Sequence, residues 1–100
     1  MIHLHYSMEM NNMRKIIIDG RYMKTREKAH NYLKTKLNIC GYYGSNLDAL
    51  WDALSTVGEE IEIKFINQKN LIETLDDYGK SIIEVFKETD QENPNIRFKI

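Results

Sequence analysis

Asp48 and Asp52 are the residues whose type and spacing point most directly at chemistry. Four positions apart, they share one face of any helix that holds them. Like charges at that spacing cost a helix about 0.2–0.5 kcal/mol. A Lys at either position would fold better, so the pair breaks a local rule without a local gain, as functional surfaces do. Tyr42 and Tyr43 stand just before it. Aromatic side chains beside uncompensated charge are what a protein-binding surface needs. Two other readings of the pair are a plain solvated acidic face and the general acid and base of a small hydrolase. The hydrolase reading requires a concave, partly dry pocket that drives the two pKa values apart. Carboxylates one turn apart on an exposed helix do not provide that. No glycine-rich phosphate loop, metal-ligand set or Ser/His/Asp arrangement accompanies them. A binding protein without cofactor or metal is therefore expected, not an enzyme.

The element that must carry the pair is short and amphipathic. Leu47, Leu50, Trp51 and Leu54 fall at i, i+3, i+4 and i+7, one apolar stripe of a helix. Ser45 or Asn46 can cap its first free N–H groups, and Ser45-x-x-Asp48 has capping-box spacing. Asp48 lies in the first turn, where the helix dipole favours negative charge. Gly44 stands at the turn into the helix and is expected to take a positive φ. The i+4 spacing of Trp51 from Leu47 also suits a core position.

The run Tyr42-Tyr43-Gly44-Ser45-Asn46-Leu47-Asp48-Ala49-Leu50-Trp51-Asp52 resembles the barstar family of intracellular ribonuclease inhibitors. A weaker resemblance extends from about Arg14 to Ile100. It implies a three-stranded parallel sheet packed with about four helices. It also implies a basic secreted ribonuclease or nuclease toxin as partner, its active site blocked by an acidic helix and loop. Asp52 matches the carboxylate that enters the nuclease phosphate site, and Asp48 a second contact acid. Tyr42 matches an aromatic that closes the cleft, Asn46 and Trp51 match further contacts, and Glu88 an outlying acidic contact. Glu88 also shares a helix face with Glu84, which suits a solvated face equally well. Tyr43 is expected in packing. Two departures stand out: Ser45 replaces the family's loop acid, and Val57 stands at or near the place of a second tryptophan. An immunity or interaction module of the same fold with another partner is the alternative reading.

One hundred residues, 42% of them hydrophobic, suit one core. The net charge of −1 is split along the chain. Residues 1–41 hold eight Lys/Arg against three Asp/Glu, a net of +5, and residues 42–100 hold six against twelve, a net of −6. An acidic half that is also acidic in space steers a basic partner and repels nucleic acid. The longest aliphatic run, Ile16-Ile17-Ile18, is far too short to span a bilayer. Cys40 is the only cysteine, so no internal disulfide forms, which is compatible with a cytoplasmic protein. Cys40 reads as a small apolar filler, since no activating base is paired with it by spacing. A free monomer is expected.

Residues 1–12 read as an N-terminal extension, frayed or arising from an upstream start, before a single domain at 13–100; an extra strand is a third reading. They carry no signal-peptide pattern. His3 and His5 would share a strand face, but further ligands for a metal are missing. Arg14–Asp19 reads as a first strand, and its unbroken Ile run predicts burial on both faces. Thr25 caps a helix over Arg26–Leu37 with Ala29, Tyr32, Leu33 and Leu37 inward and Lys28, Lys34 and Lys36 outward. The key helix ends near Thr56. Glu60–Ile66 alternates as a strand expected to be less deeply buried than the first. Gln68–Leu75 is a short helix broken by Asp76–Gly79. Lys80 to about Glu88 is another, with Ile82, Ile83 and Phe86 inward. Gln91–Asn95 is a turn around Pro94, and Ile96–Ile100 a third strand. Strand, helices, strand, helices, strand is the order of an α/β parallel sheet with right-handed crossovers.

Overall fold

Three short runs rich in β-branched and aromatic residues pair side by side, and the amphipathic runs between them form helices that bury one face of the sheet. The computed structural model describes residues 13–100. The order is β1 (Arg14–Asp19), a 3-10 turn (Gly20–Tyr22), α1 (Arg26–Lys36), α2 (Leu47–Ser55), β2 (Ile61–Ile66), α3 (Gln68–Leu75), α4 (Asp77–Glu92) and β3 (Ile96–Lys99). The extension and the histidine pair His3 and His5 lie outside the described residues. No helix among the described residues is long and apolar enough to cross a membrane.

The sheet is parallel throughout, in the order β1-β2-β3. Ile16 pairs with Ile63, and Ile63 in turn with Phe98. Strand alternation therefore sends Ile16, Ile18, Ile61, Ile63, Phe65 and Ile96 to one face, where all are buried. The α/β architecture with a three-stranded parallel sheet and four helices matches the sequence reading.

The burial expected for the strands needs correction. β1 is not buried on both faces: Ile17 is 53% exposed, between buried Ile16 and Ile18. β1 is an edge strand, and the helices cover only one side of the sheet, so Ile17 shares the outer face with Lys15, Lys64, Arg97 and Lys99, all exposed. β2, expected to be the shallower strand, is the central one. Its alternation marks a one-sided sheet rather than a peripheral position.

Boundaries moved where backbone geometry was invisible in sequence. The break between α3 and α4 is one residue, Asp76, with φ 52° and ψ −126°. Tyr78 and Gly79 are already helical, so α4 starts three residues earlier than Lys80 and runs to Glu92. Gly79 is there for room, since a Cβ would lie 2.8 Å from the Leu71 carbonyl oxygen where α4 packs on α3. β3 stops at Lys99. The Thr25 cap is as expected: its hydroxyl accepts from the Lys28 N–H at 3.0 Å.

The far ends of β1 and β2 are joined by one buried carboxylate. Asp19 accepts from the Arg21 backbone N–H and guanidinium, the latter at 2.8 Å, and from Asn67 Nδ2 at 3.0 Å. The hydrogen bonds from Arg21 hold its carboxyl well below the usual carboxylate range, against the upward push of burial. Next to it, Gly20 lets the chain pass close to the Asn67 carbonyl, which takes up the space a Cβ would need. We expect Gly20→Ala to cost about 1–3 kcal/mol of stability through overpacking. It should lower the urea midpoint with an unchanged slope; an unchanged midpoint would contradict this close approach.

Candidate protein-binding site

α2 has nine residues, too few to hold together alone in water. Its two ends and one face are fixed from outside. Leu50 and Leu54 are fully buried, and Leu47 packs partly buried against the same core. Of the two cap candidates, Asn46 is the one used: its Oδ1 accepts from the Ala49 N–H at 2.7 Å. At the other end Asn93, buried beyond α4, donates from Nδ2 to the Leu54 and Val57 carbonyls at 2.9 and 3.1 Å. Carbonyls of the last turn of α2 and of the segment after it are thus bonded by a residue far along the chain.

The loop before α2 takes its shape from three left-handed residues, Asn38 at φ 54°, Gly41 at φ 80° and Ser45 at φ 54°. The positive φ expected at Gly44 belongs to Ser45. Gly44 instead gives room, because a Cβ would sit 3.3 Å from that of Ala49. The adjacent tyrosines separate: Tyr42 is 95% exposed, and Tyr43 is buried as expected. Cys40, read as an apolar filler, is exposed; the loop lifts it off the core.

The ridge formed by loop and helix separates two clefts. One, of about 350 Å³, is lined by Tyr42, Gly44 and Asp52 among others. The second, of about 640 Å³, is lined by Arg26, Asn46, Asp48 and Tyr78 among others. Trp51 on the helix is 38% exposed and is not among the side chains packed on the core, so the core position that its spacing from Leu47 suited is not taken up. Glu88 is exposed on α4, which packs against α2, but lines neither cleft. The structure therefore gathers five of the six candidate residues on the ridge and leaves Glu88 apart.

Asp48 and Asp52 are both exposed, and neither forms an ion pair among the described residues. The stretch 37–63 contains no Lys or Arg and five acids, Asp48, Asp52, Glu59, Glu60 and Glu62. Arg26, the cation that lines the cleft of Asp48, lies over the Tyr78 ring at 4.1 Å. Asp52 is in the last turn of α2 with no basic residue there, where the helix dipole opposes a negative charge. Its position is thus unfavourable twice, by Asp48 and by the dipole. Such exposed charges, each at the wall of an open cleft, can attract a cationic surface, but they lack the enclosure that splits pKa values for acid–base chemistry.

Sequence reading missed the support beneath this ridge. His30, 1% exposed, bonds Tyr43 Oη through Nδ1 and Tyr78 Oη through Nε2, both at 2.6 Å. The signal was present, since His30 lies three before Leu33 and seven before Leu37, on the apolar face of α1. Burial pushes its imidazole below the ordinary value of 6.5. The unfolded chain therefore binds more protons just under that value. We expect stability to be fully present above about pH 6.5 and to drain as pH falls through the lower folded value. His30→Gln should remove this slope in chemical denaturation series; an identical slope in the variant would contradict it.

Comparison with known proteins agrees with this architecture. The family model described as "Barstar (barnase inhibitor)" matches residues 13–100. The chain is 43% identical over 89 residues to the "Putative ribonuclease inhibitor YrdF" of Bacillus subtilis (strain 168), covering 88% of this chain and 97% of that protein. On the motif, the parallel three-stranded fold and these matches, the chain belongs to the barstar family.

Proposed function

We propose that this protein inhibits a basic, barnase-like ribonuclease by laying the α2 ridge and its preceding loop into the enzyme's active-site cleft. The observation that carries the reading is the unpaired, doubly unfavourable placement of Asp52 beside Asp48 on an exposed ridge. A cleft that binds RNA holds cationic groups for phosphate. Carboxylates inserted there take the positions of substrate phosphates and reproduce their charge. Family membership and the name of the Bacillus relative support the same partner class.

Asp52 occupies the phosphate site and Asp48 adds a second contact. Tyr42, almost free of its own protein, closes over the cleft edge. Asn46 and Trp51 complete the ridge, and Glu88 meets the partner further out. The protein acts as a monomer in the cytoplasm against a secreted nuclease, with no chemistry of its own. The exposed lone thiol of Cys40 suits a reducing compartment. Approach is quickened by attraction between the acidic ridge and a basic cleft, as charge complementarity does for protein association in general. A second reading keeps the fold and mode but changes the partner. It is favoured by uncharged Ser45 on the loop and by Val57, which packs partly on the core instead of widening the contact.

We expect Asp52→Ala to weaken inhibition of a basic ribonuclease by about 2 kcal/mol or more, read as the inhibition constant. The free variant should be as stable as the parent or up to about 1 kcal/mol more so, since repulsion and the dipole conflict are relieved. Parallel loss of stability and inhibition would make Asp52 structural. Association should slow as salt rises from 0.05 to about 0.5 M, because exposed charges are screened; a salt-independent rate would contradict steering. Capture of a basic nuclease from the host's secreted proteins tests the partner class, and capture of a non-nuclease alone would favour the second reading.

A further inference from the structure

His30 is buried beneath the ridge and takes no part in the contact described above. It joins three elements. Its helix is α1, Nδ1 meets Tyr43 of the loop, and Nε2 meets Tyr78 of α4. Proton bookkeeping fixes the direction of these bonds. A neutral imidazole has one N–H and one bare nitrogen, so one phenol donates to it and the other accepts from it. The accepting phenol is left with an O–H that needs another partner. Tyr43 is 9% exposed and has no second partner among the described residues, whereas Tyr78 lines the open cleft beside Asp48, where water reaches it. Tyr43 must therefore be the donor.

We propose that His30 is the positioning residue of the recognition loop, holding it through Tyr43 as a neutral imidazole whose Nε2 carries the proton and whose Nδ1 accepts. The inference rests on the ridge being the binding surface. The bond fixes Tyr43, and with it the placement of Tyr42 on one side and Gly44 to Asn46 on the other. If Nδ1 gains a proton, the Tyr43 O–H loses its acceptor in a buried place, where an unmet donor is costly. The groups facing the imidazole are the phenols of Tyr43 and Tyr78. Arg26 lies over the Tyr78 ring, and exposed Glu27 and Asp48 line the adjoining cleft. No carboxylate bonds either ring nitrogen to favour the charged form.

The test uses the free protein, so it reads independently of whether a ribonuclease is bound. Imidazole ¹⁵N–¹H correlation at pH 7.5 is expected to show the Nε2–H tautomer for His30. Backbone ¹⁵N relaxation is expected to show the order parameters of residues 42–46 falling from about 0.85 to about 0.6 in Tyr43→Phe, with β2 unchanged. Tyr78→Phe, which keeps the Tyr43 bond, should leave the loop as ordered as in the wild type. In the wild type, loop order should fall as His30 titrates below pH 6.5, and this dependence should vanish in Tyr43→Phe. An Nδ1–H tautomer, unaltered loop order in Tyr43→Phe, or an equal loss of order in β2 would overturn the proposal.

Discussion

A nine-residue helix with two carboxylates on its solvent face cannot stand by itself. Everything else in this molecule answers that constraint. The buried face supplies Leu50 and Leu54, the start is capped by Asn46, and the end is held by Asn93 across the α4–β3 turn. Because these supports lie behind or at the ends of α2, its exposed face is released from folding duties. Asp48 and Asp52 can then be selected for what they meet outside. The energetic cost of their repulsion, some tenths of a kcal/mol, is small beside the burial of two leucines at about 1.5–3 kcal/mol each.

Rigidity behind the ridge comes from two polar devices of different kinds. Asp19 joins the ends of β1 and β2 as a charged acceptor surrounded by donors, so the sheet edge is locked electrostatically. His30 joins α1, the loop and α4 as a neutral group between two phenols, so the ridge is locked without adding charge near Asp48 and Asp52. A buried cation in that place would have offset the negative potential of the ridge. Arg26 is the one positive group in the adjoining cleft, and its guanidinium lies on the Tyr78 face.

The sequence was most readable where local pattern and tertiary structure agreed. The period of Leu47, Leu50 and Leu54 gave α2, the Ile and Phe alternation gave the strands, and Thr25 gave the start of α1. It was least readable where space rather than propensity decides. Gly79 looked like a helix breaker, yet it is a helical residue that lets α4 approach α3. Three consecutive isoleucines looked buried on both sides, yet Ile17 faces outward because no helix covers that side. For the site, residue type and spacing brought out Asp48 and Asp52 with Tyr42 beside them, and the family resemblance added Asn46, Trp51 and Glu88. The bridging role of His30 was not legible because its partners are thirteen and forty-eight residues away.

The central claim is that these carboxylates occupy the positions of substrate phosphates. The most direct measurement is competition on a basic ribonuclease between this protein and a mononucleotide that fills the phosphate site. The account predicts mutual exclusion, with the apparent Kd rising in proportion to nucleotide concentration above its own Kd. Simultaneous binding, with the Kd unchanged at saturating nucleotide, would contradict it.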